Sequence, residues 1–249
     1  MTDPDYRSAA DRAPPAGRRI AELDIARSLA LLAMAVFHLA WDLTSFGFLP
    51  RDTMQAPEWR AFARLIAGSF LFLSGISLWL AHGSGLRTAA FLRRLWMLAA
   101  MAALVSVATR IALPQAWIRF GILHALVVSS CLGLAAMHLP RPLLALAAVG
   151  ALALGAVELP GAGAAWLWLG IAAHRPPMLD YVPIFPWSGV FLAGILAARC
   201  LAGRIPAPLD PATRAVRLAA WPGRHSLMLY LAHQPILYGA VYLARQIAG

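Results

Sequence analysis

The sequence predicts an all-α fold, a polytopic transmembrane helical bundle of about seven spans with one further short helix. Three observations predict it. Of the 249 residues, 61% are hydrophobic and only 13% are charged, whereas soluble domains are nearer half apolar and a quarter charged. The mean hydropathy is +0.68. Apolar runs of roughly 20 residues, the length that crosses a bilayer, recur along the whole chain.

Seven hydrophobic segments stand out in chain order. They cover residues 23–44, 61–81, 92–113, 117–138, 142–158, 184–202 and 226–247. Proline and glycine punctuate the connections between them. An eighth apolar stretch at 165–173, AWLWLGIAA, is too short to cross a bilayer, and its two tryptophans suit the headgroup region. We therefore expect a short interfacial or re-entrant helix there.

The N-terminal residues are polar, rich in Pro, Ala and Arg, and lack the apolar core of a signal peptide. We predict a disordered cytoplasmic tail at 1–19 and a single transmembrane domain at 20–249. All 21 basic residues are arginine, and most of them would face the cytoplasm if the N-terminus were inside. This distribution predicts a cytoplasmic N-terminus. The net charge of +10 is explained by such basic loops, so we expect no nucleic-acid partner.

The sequence lacks the motifs that are typical of several kinds of chemistry. There is no HExxH motif, carboxylates are sparse and the histidines fall on separate helices or loops, so no metal site is predicted. There is no GxxxxGK[ST] motif and no GxGxxG between a strand and a helix, which disfavours nucleotide hydrolysis and Rossmann-type binding. Cys131 and Cys200 lie in different segments without CxxC spacing, and we expect inert thiols.

Two titratable residues, His38 and Asp42, lie four apart in the first hydrophobic segment, on one face of the expected helix. Ionisable residues at membrane depth are costly and usually face a cavity or a partner helix. An aspartate bonded to one imidazole nitrogen would fix the tautomer and leave the other nitrogen to accept a proton. Two interpretations stay open at this point: a functional pair and a polar clamp between helices.

Further polar residues fall near the expected outer side of the membrane. His124 lies at a depth comparable with His38, which indicates a shared outer cavity, although a packing role fits equally well. Asp180 and Tyr181 precede the sixth segment and would line the same mouth, or would belong to a structural proline-rich turn. His233 lies early in the last segment, and we expect it in the inner half of the membrane, apart from His38.

Arginines open several helices on the expected cytoplasmic side. Arg27 follows Asp24 by three residues at the start of the first helix, and Arg93 and Arg94 open the third. Guanidinium groups match the geometry of phosphate, so these arginines would clamp a phosphate-bearing ligand that enters from the cytoplasm. Alternatively, Arg27 and Asp24 form an ion pair at the interface.

Five stretches of the chain resemble the heparan-alpha-glucosaminide N-acetyltransferase-like membrane proteins of bacteria. They are RRIAELDIARSLALLAMAVFHLAWDL (18–43), FLFLSGISL (70–78), FGILHAL (120–126), DYVPIFPWSGVFLAGI (180–195) and GRHSLMLYLAHQPIL (223–237). The resemblance runs from about Arg18 to the C-terminus. It implies membership of the wider transmembrane acyltransferase superfamily, location in the bacterial cytoplasmic (inner) membrane, and transfer of an acyl group from acyl-CoA at the cytoplasmic side to a sugar.

The resemblance also implies which histidine is catalytic. The acyltransferase-three proteins of that superfamily carry an arginine, ten residues and then a catalytic histidine in their first span, and Arg27 and His38 keep this spacing. In the lysosomal enzyme, the proposed reactive histidine follows the first span in a lumenal stretch. Residues 43–60 contain no histidine. The lysosomal site therefore does not carry over, and His38 is assigned through the acyltransferase-three spacing.

These inferences predict an integral-membrane acyltransferase that moves an acetyl or other short acyl group from acetyl-CoA or another acyl-CoA to a saccharide hydroxyl or amine. His38 would be the general base, Asp42 would orient its ring, and His124 would position the acceptor or stabilise the oxyanion. We assign the binding of CoA to Arg27, Arg93 and Arg94. We assign the binding of the acceptor to Trp41, Asp180 and Tyr181.

Two rival functions and the oligomeric state stay open. A proton-coupled transporter or flippase would use His38 and Asp42 as a relay, and a non-catalytic scaffold would not need His38. The expected partners are membrane lipid, acyl-CoA and a saccharide or glycoconjugate acceptor. Small residues in the spans permit tight helix packing within one chain or in a homodimer.

Overall fold

The computed structural model describes residues 20–159, 163–173, 178–202, 209–210 and 212–248, and in these ranges the chain is helical without a strand. The α-helices there are α1 (Ala21–Ser45), α2 (Pro57–His82), α3 (Thr88–Ala112), α4 (Ile122–Ala136), α5 (Arg141–Leu154), α6 (Ile184–Leu201), α7 (Arg214–Arg224) and α8 (Ser226–Ala248). The prediction of an all-α fold is confirmed. The tail predicted at 1–19 lies outside the described residues.

Five helices are long and apolar enough to cross a membrane, so the chain is a multi-pass membrane protein. They are α1, α2, α3, α6 and, over Ser226–Ile247, α8. The other two apolar helices, α4 and α5, have 15 and 14 residues. At ~1.5 Å per residue they reach only about 21–23 Å, less than the ~30 Å of a hydrocarbon core. The predictions of seven spans and of a cytoplasmic N-terminus stay predictions.

Helices α1 and α8 run parallel to each other. His38 lies beside His233, and Phe46, two turns further along α1, lies beside Tyr238, further along α8. Two parallel spans of one chain need an odd number of crossings between them. If α2, α3 and α6 supply three, α4 and α5 either both cross the membrane or both stay short of it.

The described residues fall into two units, and the boundary between them lies within α2, after Phe70. In the unit that contains residues 71–202, α2 and α6 approach each other at two glycines. A Cβ at Gly75 would overlap the carbonyl group of Phe191, and one at Gly194 would overlap the carbonyl group of Phe72. Glycine at both positions lets the two backbones touch, as small residues do between membrane helices.

The other unit contains residues 20–70 and 209–248. Its core is built on Leu31, Met34 and Ile66, and side chains from the start of α8 pack against it. Helix α7 lies along the first turns of α1, because Gly223 packs directly on the backbone of Asp24. Both α7 and the start of α8 therefore pack against α1.

Two short helices lie between the predicted spans. Sequence analysis assigned the region of α7 to a connection, whereas the structure forms a helix that leaves Arg217, Leu218 and Trp221 exposed. The short helix expected in the AWLWLGIAA stretch is present as a 3₁₀ helix over Ala164–Leu169. Its depth relative to a membrane stays a prediction.

Candidate active site

Two histidines from the parallel helices α1 and α8 lie side by side. The ring centroids of His38 and His233 are 4.9 Å apart and the planes are inclined by 59°. Nδ1–H of His233 donates to the carbonyl oxygen of Tyr230 at 2.6 Å, so Nε2 carries the lone pair in the neutral ring. Among the described residues, Nε2 of His233 is buried without a hydrogen-bond partner, and no hydrogen bond joins His38 to another of them.

The nearness of these rings shows that the expectation of His233 lying apart from His38 was wrong. Counting residues from the start of each helix assumed that the first and last spans begin at the same level. Helix α7 occupies the space beside the first turns of α1, and Leu229 of α8 packs on the cluster of Leu31 and Met34. Helix α8 therefore begins about three turns further along α1, which brings His233 level with His38.

One turn beyond the histidines, Asp42 meets Gln234. The carboxylate is 1% exposed, and its Oδ1 accepts a hydrogen bond from Nε2–H of Gln234 at 2.9 Å. Asp42 Oδ2 and Gln234 Oε1 are both buried without a hydrogen-bond partner among the described residues. The expected bond from His38 to Asp42 is absent, since Asp42 faces Gln234 while His38 faces His233. This geometry is that of the polar clamp, and a role for Asp42 in orienting His38 stays a prediction.

Trp41 lies on a more exposed face of α1 than its neighbour Asp42. Its side chain is 40% exposed, and its ring lies 6.4 Å from that of Phe37. The assignment of Trp41 to the acceptor stays a prediction.

An apolar groove of about 440 Å³ runs between α1, α7 and α8. Its walls include Ser28 and Met34 of α1, Pro222 of α7, and Leu229 and His233 of α8. His233 therefore faces an apolar space as well as the ring of His38. A molecule in this groove would reach His233 without crossing a charged lining residue.

Arg27 and Arg224 both contact the carboxylate of Asp24. Arg27 Nη1 lies 2.7 Å from Oδ1, and Arg224 Nε lies 3.4 Å from Oδ2. The ion pair that sequence analysis kept as an alternative for Arg27 is therefore formed. Two guanidinium groups therefore contact one carboxylate, close in sequence to Ile25 and Ser28, which line one end of the groove. Arg27 and His38 lie on one face of α1, about three turns or ~16 Å apart along the axis.

Arg93 and Arg94 lie near the start of α3, in the other unit. Arg93 is exposed, while Arg94 is half-buried and acts electrostatically on His82 together with Arg87. The backbone N–H of Arg87 donates to Nδ1 of His82 at 3.3 Å. A role of Arg93 and Arg94 in binding CoA stays a prediction.

His124 is held at the N-terminus of α4. Its Nδ1 accepts the backbone N–H of Gly121 at 3.2 Å, and its Nε2 lies 3.3 Å from the hydroxyl of Ser106. That hydroxyl donates to the carbonyl of Ile118 at 2.7 Å, so it accepts from Nε2–H of the neutral ring. Both nitrogens are engaged in local structure. The packing alternative describes this geometry, and a role of His124 toward the acceptor stays a prediction.

Asp180 caps the same helix end as His124. Its Oδ2 accepts the backbone N–H of Ile122 at 2.8 Å, as expected for a carboxylate at the unpaired N–H groups of a helix start. Burial raises the pKa of Asp180 to about 6, although the bond from Ile122 opposes this shift. The hydroxyl of Tyr181 donates to the carbonyl of Leu167 at 2.8 Å. The structural-turn alternative therefore describes both side chains.

Sequence reasoning missed three residues of this region: His233 as a neighbour of His38, Gln234 as the partner of Asp42, and Arg224 as a second cation on Asp24. One signal was available, because the first and last spans each carry two polar side chains close together. The axial offset between α1 and α8 could not be read from the sequence. In the part of the chain that the structure describes, no group of three or more His, Cys, Asp or Glu side chains could hold a metal ion.

The chain matches a known protein family over most of its length. The family described as heparan-alpha-glucosaminide N-acetyltransferase, catalytic, matches residues 19–235. This range covers α1 to α7 and the first turns of α8, including His233. No curated protein and no solved structure matches the chain.

Proposed function

Since the chain belongs to the heparan-alpha-glucosaminide N-acetyltransferase catalytic family, and is a membrane acyltransferase, we propose that it transfers an acetyl group from acetyl-CoA to a saccharide amine or hydroxyl. Entry of acetyl-CoA from the cytoplasm and a bacterial cytoplasmic membrane as the location belong to the same proposal. The family match gives no support to the alternative of a transporter or flippase.

The observation that carries the proposal is the position of His38 within the matched region. It belongs to a helix long and apolar enough to span a membrane, and its imidazole is not hydrogen-bonded to any described residue, so its lone pair is available for a substrate proton. A general base of this kind contributes ~10²–10⁴-fold. The acceptor gives its proton to His38 as its oxygen or nitrogen bonds to the thioester carbonyl carbon. The C–S bond then breaks, and CoA leaves as the thiol once protonated.

The donor fits the region between Asp24 and the histidines. Arg27 and Arg224, which both contact Asp24, would bind CoA phosphates, because guanidinium groups match the geometry of phosphate. Fully extended, a pantetheine arm of about 15 bonds reaches ~18 Å, close to the ~16 Å between Arg27 and His38 along α1. The apolar groove would keep water from the thioester during transfer.

The direct test uses the purified protein in lipid, with acetyl-CoA labelled in the acetyl group and a panel of amino sugars and neutral sugars. We expect label on one acceptor class, and a rate at least ~100-fold lower for His38→Gln. The matched control is His225→Gln, because His225 is an exposed histidine whose Nδ1 contacts a backbone carbonyl, that of Trp221.

Each outcome of this assay tests a different part of the proposed function. Transfer that persists in His38→Gln rejects His38 as the base. Absence of transfer to every acceptor by the wild type rejects the donor and acceptor classes. Proton-coupled flux of a sugar without consumption of the thioester would instead favour the transporter.

A further inference from the structure

We propose that His233 is a second proton-transfer residue of this site, which receives the acceptor's proton from His38 and delivers it to the sulfur of the leaving CoA. The inference rests on the proposed acyl transfer and extends it to a residue with no assigned role. It concerns α1, α7 and α8, which belong to one unit of the structure.

The first observation is the distance between the rings. With centroids 4.9 Å apart, a nitrogen of His38 can come within hydrogen-bond distance of His233, about 2.7–3.2 Å, when the ring of His38 turns about its Cβ–Cγ bond. No described residue holds His38 by a hydrogen bond, so its ring is able to turn. A proton on His38 can therefore pass to His233 directly or through one water molecule.

The second observation is the fixed tautomer of His233. Its Nδ1–H is held by the carbonyl oxygen of Tyr230 at 2.6 Å. The lone pair of the neutral ring is then at Nε2, which is buried without a partner among the described residues. Buried polar atoms are nearly always hydrogen-bonded, so an unpartnered acceptor in a site is a place for a proton or a ligand group. The carbonyl of Tyr230 also stabilises the imidazolium that forms when Nε2 accepts a proton.

The third observation is the access to His233. Its side chain is part of the wall of the apolar groove between α1, α7 and α8, whereas His38 is not among the groove's lining residues. A thioester that approaches along this groove meets His233 first. The two histidines are therefore suited to different tasks, His38 to the acceptor and His233 to the sulfur.

The proton balance closes without an additional reagent. The acceptor's O–H or N–H bond breaks, its proton goes to His38, and the acceptor atom forms a bond to the carbonyl carbon. The proton moves from His38 to Nε2 of His233 and then to the sulfur as the C–S bond breaks. Both imidazoles return to the neutral state, and the products are the acetylated acceptor and CoA thiol.

The experiment compares His233→Asn with the wild type and two acetyl donors. The amide N–H of asparagine takes the position of Nδ1–H and keeps the bond to Tyr230, but nothing replaces Nε2. One donor is acetyl-CoA, and the other is an acetyl thioester of a more acidic thiol, S-(4-nitrophenyl) thioacetate, whose thiolate leaves without protonation. The variant His38→Gln is measured with both donors as the base-deficient reference.

We expect His233→Asn to lower kcat with acetyl-CoA by ~10²–10³-fold, with KM changed less than ~3-fold. With the acidic thiol, the loss should be less than ~10-fold, while His38→Gln loses activity with both donors. Unchanged kcat with acetyl-CoA, or an equal loss with both donors, overturns the proposal, since a structural role would not depend on the leaving group.

A second variant covers failure of folding. If His233→Asn does not yield a monodisperse protein in detergent, His233→Gln is measured in the same way, with the same two outcomes. A wild type inactive with both donors refutes the proposed function, and this inference with it. An active wild type, an inactive His38→Gln and a fully active His233→Asn refute this inference alone.

Discussion

Gln234 donates a hydrogen bond of 2.9 Å to the buried carboxylate of Asp42, and this contact joins α1 to α8 one turn beyond the histidine pair. It fixes the axial register of two parallel membrane-spanning helices. The same register places His233 beside His38. The hydrogen bond between Gln234 and Asp42 therefore controls how His38 and His233 lie relative to each other.

Loss of Gln234 should weaken both the fold and the reaction. In Gln234→Leu, Asp42 stays buried and loses its hydrogen-bond donor, so we expect the free energy of unfolding to fall by ~1–3 kcal/mol and kcat to fall with it. Asp42→Leu combined with Gln234→Leu should recover part of this stability, because both polar partners are then gone. Gln246→Leu, an exposed change on the same helix, is the control. A double variant less stable than both single variants would contradict this account.

The arginines at Asp24 should control the affinity for the donor. We expect Arg27→Gln and Arg224→Gln each to raise KM for acetyl-CoA by ~10–100-fold, since a charge-assisted hydrogen bond contributes about 1.5–3 kcal/mol, with a smaller effect on kcat. Arg217→Gln, at an exposed position of α7, is the control for a lost charge. Asp24→Asn should not raise KM, because it leaves both guanidinium groups to the phosphates. An unchanged KM in both arginine variants would exclude this end of the groove as the phosphate site.

Much of the architecture could be predicted from the sequence, because hydrophobic length is a local property. The first helix was predicted at 23–44 and spans Ala21–Ser45, for example. Helix α7 was missed because it is short and its apolar residues alternate with arginines. Arg199 of α6 is one of the arginines on which the predicted orientation depended, yet it is 1% exposed and donates to the carbonyl of Leu139 just beyond α4 at 2.5 Å. A charge count does not show that a buried arginine caps a helix.

The candidate site was predictable only in part, for a physical reason. Membrane depth and spacing identified His38 and Asp42 as polar residues on one face of a helix. Which side chain each one meets depends on the offset between α1 and α8, and α7 sets this offset by packing on the first turns of α1. No local pattern in either span contains that information. The partners Gln234 and His233 therefore became visible only in three dimensions.

Asp180 should make the stability depend on pH. Its pKa is raised from 3.8 to about 6 by burial, so between about pH 4 and pH 6 the folded protein keeps a proton that the unfolded chain has lost. Stability should therefore fall as the pH rises through this window and level off above it, by at most ~3 kcal/mol. Asp180→Asn does not titrate, and its side-chain oxygen can still accept the N–H of Ile122. Thermal unfolding at pH 4.5 and pH 7 should show the variant gaining stability relative to the wild type at the higher pH.

The control for a changed net charge is Asp52→Asn at an exposed position. If the stability difference between Asp180→Asn and the wild type were the same at both pH values, Asp180 would not titrate in this range in the folded protein.

The close approach of α2 and α6 should tolerate no side chain at Gly75. A Cβ there would overlap the backbone carbonyl of Phe191, which cannot move without shifting α6. We expect Gly75→Ala to lower the free energy of unfolding by ~1–3 kcal/mol, the usual effect of overpacking.

Gly150→Ala in α5 is the matched control, since a Cβ there meets nothing within 4 Å and alanine favours a helix by up to ~1 kcal/mol. The measurement is unfolding in mixed detergent micelles, and opposite signs for the two variants are the expected result. Gly194→Ala acts at the same crossing, so its effect combined with Gly75→Ala should be less than additive, because the first substitution already separates the helices. Equal stability of Gly75→Ala and Gly150→Ala would show that α2 and α6 do not touch at this crossing.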